Sequence, residues 1–267
     1  MRIRHDWLGE LTLPDRPTRV VSLAPSVTDT LFFLGLGDRV VGRSAFCWRP
    51  PEAEGLPVVA SYTKVRWELL EGLAPELVFT TTGVQRDLTE ELRRRGYPVW
   101  PVPLPQTPWG IVENLGLVAA LMGVGAADRQ AELADRYQRL FHRFSGLRVY
   151  LEFDLGGPIT IGRGSYLNAA LAHLGLVPVF ADRPEAYFPP PIAEVPGLRP
   201  DLVVLEPKRI RNRARQLEAA RRLLAERGWD YPLVVTRGDE LAHFGPMFFE
   251  YLAAFAEEAA GVLAAET

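Results

Sequence analysis

The sequence predicts an α/β protein of two Rossmann-like lobes with mainly parallel sheets, joined by one long helix, with a ligand cleft between the lobes. Three observations point there. Gly72-Leu73-Ala74-Pro75-Glu76-Leu77-Val78-Phe79 recurs 125 positions later as Gly197-Leu198-Arg199-Pro200-Asp201-Leu202-Val203-Val204, with the same order of turn, acid and apolar strand. Short apolar runs alternate with stretches of helical periodicity, the pattern of parallel sheets. The 267 residues, 48% hydrophobic and 24% charged, suffice for two cores of ordinary domain size. Strand-end loops of such a chain face a cleft, and clefts take small ligands.

Residues 1–13 alternate polar and apolar up to Pro14, which predicts a hairpin leading into a strand at Arg19–Leu23. Ser26, with Asp29 three places on, approximates a capping box, and Gly35 sits where that helix should stop. Strands follow near Val40, Val58, Leu77–Thr80 and Val99–Val102, with a helix at Val84–Arg95 whose Val84, Leu88 and Leu92 are spaced by four. From Pro108 to Phe144 the pattern is helical, interrupted only by Gly123 and Gly125. This stretch reads as the bridge, giving lobes at 1–107 and 145–267 around 108–144. The second lobe carries strands near Val149–Phe153, Val177–Phe180, Leu202–Leu205 and Leu233–Thr236, and helices at Ser165–Leu174, Arg209–Arg227 and Phe244–Leu263. Gly162-Arg163-Gly164 before Ser165 reads as a tight turn with Ser165 as N-cap.

A net charge of −3 supplies no field to attract nucleic acid or an anionic membrane. The basic run Lys208, Arg209, Arg211, Arg213, Arg215 reads as the solvated start of a helix whose apolar stripe is Leu217, Ala220, Leu223 and Leu224. A single cysteine, Cys47, excludes an internal disulfide. His5, His142, His173 and His243 fall in unrelated segments, so neither a resident metal nor a cofactor of its own is expected. Ile111–Gly125, the most apolar stretch, holds Glu113 and Asn114 and fails as a membrane span. No apolar run follows the basic opening Met1-Arg2-Ile3-Arg4. A periplasmic or cell-envelope location is therefore expected if a signal peptide was removed, and a cytoplasmic one if Met1 is the native start.

Catalysis finds little support. Ser26, His243 and Asp239 all lie at predicted strand ends, yet no Gly-x-Ser-x-Gly elbow accompanies them. Glu152 and Asp154 share one face of a predicted strand, but Asp154 fits the turn before Gly156-Gly157 better than an acid–base pair. The aromatic residues Trp48, Tyr62, Tyr187 and Phe188 are more informative. They lie in Pro-rich or turn-like segments at predicted strand ends, where they suit a large flat ligand.

Arg19-Val20-Val21-Ser22-Leu23-Ala24-Pro25-Ser26-Val27-Thr28-Asp29, continuing through Leu34-Gly35-Leu36-Gly37-Asp38-Arg39-Val40-Val41-Gly42, resembles the substrate-binding proteins of ABC importers for cobalamin, haem and ferric siderophores. The resemblance continues through Cys47-Trp48-Arg49-Pro50-Pro51-Glu52-Ala53, the Leu-x-Pro-Glu-Leu-Val phrase, Pro158 to Asn168 and Thr236 to Pro246. It implies two α/β lobes joined by a long helix, and a binding protein without catalytic residues. Cys-x-x-Pro-Pro-Glu-Ala is most similar to the cobalamin branch, so the implied ligand is a corrinoid, with haem and a ferric siderophore as alternatives. A cytosolic corrinoid carrier or sensor is the alternative without a transporter.

By the same resemblance, Trp48 and Tyr62 match aromatic residues lining the cleft in the first lobe, Tyr187 or Phe188 matches that of the second, and Asp239 matches a cleft acid. Ser26 and Thr82, at strand ends, are candidates for hydrogen bonds to the ligand. Thr80-Thr81-Thr82-Gly83 stands where the family often has a second tryptophan or an Arg-Gly-Gly turn. Glu68 and Glu194 match exposed glutamates, one per lobe, that dock onto arginines of a permease dimer. The protein itself is expected to be a monomer.

Overall fold

The structure, a computed structural model, describes residues 1–154, 156–208 and 212–265. It divides into two compact units, Met1–Pro105 with Trp109–Leu133, and Gln106–Pro108 with Ala134–Thr267.

In the first unit, β1 (Arg2–His5) and β2 (Gly9–Thr12) form the expected antiparallel hairpin. A five-stranded, wholly parallel sheet follows, with β3 (Val20–Ser22), β4 (Val40–Ser44), β5 (Val58–Ala60), β6 (Leu77–Thr81) and β7 (Val99–Val102) in the order β5-β4-β3-β6-β7. The strands read as unbroken apolar runs because both faces of the sheet are covered. On one face Val20, Leu77 and Phe79 pack with Leu31 of α1 (Pro25–Phe33) and with Val118 and Leu121 of α4 (Pro108–Leu121). On the other, Val21 and Val78 pack with Leu70 of α2 (Trp67–Gly72) and with Leu88 and Leu92 of α3 (Arg86–Arg94). Val84 is 68% exposed and precedes α3, so the stripe begins at Leu88.

The reading of 108–144 as one helix is corrected. α4 ends at Leu121, and α5 (Ala127–Gln138) is a separate helix. The break has a local cause: Gly123 sits at φ +68°, and a Cβ there would lie 2.7 Å from the Asp15 carbonyl oxygen. Neither a helical backbone nor a larger residue fits that place. The division between the units runs through α5, after Leu133.

The second unit holds a six-stranded mixed sheet. β8 (Leu147–Asp154) pairs in parallel with β12 (Leu202–Glu206) on one edge, and β12 with β13 (Leu233–Val235). Along its other edge β8 pairs first with β10 (Leu176–Pro178), in parallel, then with antiparallel β9 (Pro158–Ile161), to which β11 (Tyr187–Phe188) adds. α6 (Tyr166–His173), α7 (Arg213–Glu226) and α8 (Phe248–Ala265) complete it. Ser165 caps α6 as expected, its Oγ accepting the Leu167 N–H. Asn212 caps α7, and Ala220 and Leu224 are buried as the stripe requires. Arg209 and Arg211, read as the start of that helix, lie outside the described residues.

The repeated phrase has a physical meaning. In the first copy Glu76 Oε2 accepts the Thr18 N–H, the Thr18 hydroxyl and the Arg19 N–H at 2.5, 3.0 and 3.1 Å, while the Arg19 guanidinium donates to Leu73 O at 2.6 Å. In the second, Asp201 accepts the Arg148 N–H at 2.7 Å and Arg148 Nε donates to Leu198 O at 2.7 Å. Ala74 and Arg199, both left-handed at φ +43° and +48°, turn the chain at equivalent places. The Thr18 and Arg19 N–H groups hold the Glu76 carboxyl below the usual carboxylate range. Each copy thus clamps two adjacent parallel strands at their amino ends. The opposite, carboxyl ends are left free of these clamps.

Candidate functional site

In open α/β sheets, ligands meet the carboxyl ends of strands where the strand order reverses. The first unit reverses between β3 and β6, the second between β8 and β12. Most of the residues singled out from sequence lie at or near these strand ends, and each unit is built from its own loops.

In the first unit Ser26 is not a cap. Ala24 occupies the cap position, Pro25 opens α1 with its preset φ, and Ser26 is the next residue, its Oγ buried and without a hydrogen-bond partner. Behind it lies a buried polar cluster. Thr28 Oγ1 donates to Ser22 Oγ at 2.8 Å, Ser44 Oγ lies 3.1 Å from Cys47 Sγ, and Cys47 Sγ reaches Ser22 O at 3.5 Å. Burial pushes the Cys47 thiol up, so it stays neutral and acts as packing rather than as a nucleophile. Arg43, buried, donates to Ser44 O at 3.1 Å and Glu54 O at 2.9 Å, which fixes both ends of the loop carrying Trp48.

Trp48 is half-buried, with the Arg49 guanidinium 3.9 Å from its ring centroid. Tyr62 is half-buried, and burial raises its phenol while the Thr81 side chain, hydrogen-bonded to it, works the other way. Phe46, missed from sequence, is 50% exposed and meets Tyr62 edge to face at 5.7 Å. Its signal was its place one residue before Cys47, at the end of β4. Thr82 Oγ1 accepts the Leu104 N–H at 3.1 Å and is half-buried. Phe46, Trp48 and Tyr62 together place aromatic surface at the ends of β4 and β5.

In the second unit the structure separates Tyr187 from Phe188. The sequence placed both in a turn-like segment at a strand end, but both belong to edge strand β11, and successive strand residues face opposite ways. Phe188 turns into the core against Phe180, ring centroids 5.5 Å apart. Tyr187 is 45% exposed with its phenol end turned inward to Ser165, where burial pushes it up to about 12. Tyr187 is therefore the ligand-facing candidate. Asp239 is half-buried at φ +52°, in the loop after β13.

That loop is organised by Glu206, an acid not singled out from sequence. It ends β12, is 3% exposed, and accepts the Leu241 N–H at 2.7 Å, the Ala242 N–H at 2.6 Å and the Thr236 hydroxyl at 3.0 Å. Burial, which outweighs these donors, pushes its carboxyl up to about 7. The Tyr166 hydroxyl donates to the Leu241 carbonyl and holds the same loop from α6.

Glu152 and Asp154 do not act as a pair. Glu152 is buried in a two-point ion pair with Arg227, at 2.8 and 2.9 Å, and receives the Tyr150 hydroxyl. Asp154 accepts the Gly156 N–H at 3.0 Å, the turn its position suggested. Glu68 is exposed in the first turn of α2. Glu194 is exposed on the short 3-10 turn Ile192–Leu198, 3.4 Å from Arg183 in a solvent-screened pair worth little. Among the described residues no three His, Cys, Asp or Glu side chains group as a metal site, and no helix is long and apolar enough to cross a membrane.

Comparison with known proteins supplies the family. The model of the periplasmic binding protein family matches residues 20–229. A cobalamin-binding protein of Halobacterium salinarum is 31% identical over 205 residues, covering 73% of this chain and 55% of that protein, so the match spans about half of the relative's length. In fold, the chain is similar to the periplasmic vitamin B12 binding protein BtuF of Vibrio cholerae, with TM-score 0.71, 20% identity and coverage of 94% of this chain and 98% of that one. It is similar also to a periplasmic heme binding protein of Pseudomonas aeruginosa, with TM-score 0.77, 20% identity and coverage of 91% and 92%. A family match across most of the chain, on two α/β units, shows that this chain belongs to the periplasmic binding protein family.

Proposed function

We propose that the chain captures a corrinoid with its strand-end loops and hands it to an ABC importer permease from outside the cytoplasmic membrane, without catalysing a reaction. The observation that carries this is the aromatic set Phe46, Trp48 and Tyr62 at the ends of β4 and β5. A corrinoid has broad apolar faces and amide arms. It calls for aromatic surface and a few hydrogen-bonding groups, here Ser26, Thr82 and Asp239, rather than a charged pocket. Tyr187 is the matching aromatic residue of the second unit. The name of the 31% identical relative supports a corrinoid over haem or a ferric siderophore.

Calorimetric titration with cyanocobalamin, haemin and a ferric hydroxamate siderophore tests the reading. One-to-one binding of cyanocobalamin is expected, weakened roughly tenfold to a hundredfold by Trp48→Ala, as for other buried aromatic anchors. Binding of haemin or siderophore alone would keep a binding protein and discard the corrinoid.

Glu68 and Glu194 are proposed as the permease contacts, one acid on each unit. Replacing both with Ala is expected to leave cyanocobalamin affinity within twofold, given approximately as for solvated acids, and to weaken association with permease-containing vesicles, increasingly so at low salt. Unaltered vesicle binding by the double variant would remove their role.

A further inference from the structure

Gln85 is fully buried at the carboxyl edge of the first sheet, and its carboxamide makes four hydrogen bonds. Oε1 accepts the Thr81 N–H at 2.9 Å and the Thr81 hydroxyl at 3.2 Å, while Nε2 donates to the carbonyls of Leu23 and Tyr62, each at 3.0 Å. Those residues close β6, β3 and the loop after β5. Leu23 and Thr81 flank the place where strand order reverses, and Tyr62 belongs to the proposed aromatic wall. Although Gln85 holds the cap position of α3, its side chain caps nothing there, because it turns back onto the sheet edge. Its own carbonyl is held by Thr89 Oγ1 at 2.8 Å, and Thr89 Oγ1 lies 2.7 Å from Thr80 Oγ1. A primary amide has two donors and two acceptor lone pairs on one carbonyl, and all are used.

We infer that Gln85 is a positioning residue that locks three strand ends of the first unit, those of β3, β5 and β6, into their ligand-ready arrangement before ligand arrives. Gln85 ties together backbone from these three strand ends at once, and ordering them only on binding would subtract from affinity. Oxygen alone, or apolar contact alone, cannot replace the amide, since two of its partners are donors and two are carbonyl acceptors. The affinity part of this inference rests on the corrinoid reading. The loop-ordering part does not.

Two variants and two readouts test it. Gln85→Met keeps shape and removes all four bonds, while Gln85→Glu keeps the Thr81 side and regains one donor only when protonated. In the ligand-free protein, Gln85→Met is expected to speed amide exchange roughly tenfold or more in peptides covering 22–28 and 60–66, with peptides of β8 and β12 unchanged. Cyanocobalamin affinity should fall roughly tenfold or more. Relative to wild type at the same pH, Gln85→Glu should recover affinity as pH is lowered from about 8 to about 5, a titration that loss of packing alone does not produce. If the Met variant is too unstable to purify, the Glu variant carries both readouts across the same pH range. Wild-type exchange in these peptides overturns the lock, and faster exchange with wild-type affinity overturns its role in binding. If the wild type binds none of the three ligands, the corrinoid reading fails and exchange alone decides on the lock.

Discussion

Arg227→Met is expected to destabilise the second unit by about 3–5 kcal/mol, measured by urea unfolding at pH 7. The guanidinium and the Glu152 carboxylate are both largely buried, with side-chain exposures of 12% and 7%, and they meet through two parallel N–H···O bonds. Burial works against the charge on Arg227, but the bonds and charge of Glu152 overcome it and hold the guanidinium above its usual range. Removing one partner leaves the other charge buried without compensation, the costly case; removing both does not. Accordingly Arg227→Met with Glu152→Gln should recover most of the loss, because the amide keeps an acceptor for the Tyr150 hydroxyl. If the double variant is no more stable than Arg227→Met, charge is not the cause and the loss lies in packing over Trp229, whose ring centroid is 4.9 Å from the guanidinium.

Stability is expected to fall as pH rises from about 5 to about 7, and Glu206 is the group responsible. Its folded carboxyl titrates near 7 against an ordinary value of 4.5, so the folded state holds its proton more tightly than the unfolded chain. The contribution is fully present below about 4.5, where both states are protonated, and is lost as pH climbs through about 7. Integrated over that window, it amounts to roughly 3 kcal/mol. Glu206→Gln removes the titration. Its unfolding free energy should lack this slope, although the amide must set one N–H against a backbone donor and the variant should be less stable at pH 5. Equal pH slopes in the two proteins would rule Glu206 out. Because the carboxyl also orders the loop bearing Asp239, cyanocobalamin affinity is a second place to look for the same titration.

Much of the fold was legible because it depends on local pattern. Apolar runs of strand length, glycine at the helix stop after α1, and the acid before each copy of the repeated strand are all short-range signals. The break after α4 was not, because what forbids a side chain at Gly123 is the carbonyl of Asp15, more than 100 residues earlier in the chain. The aromatic candidates were found by their place at strand ends, yet choosing Tyr187 over Phe188 needed the edge strand and its alternation of faces.

The sequence by itself determined the two-fold α/β plan and the strand ends where Trp48, Tyr62 and Asp239 lie, since apolar periodicity and turn residues act over a few positions, and the family through the resemblance of its quoted segments. Only the tertiary structure decided which polar residues hold those strand ends in place. Gln85 meets carbonyls 62 and 23 positions away, and Glu206 meets donors 30 to 36 positions away. A buried polar side chain is defined by whichever groups the fold brings to it, and nothing in its own neighbourhood along the chain names them.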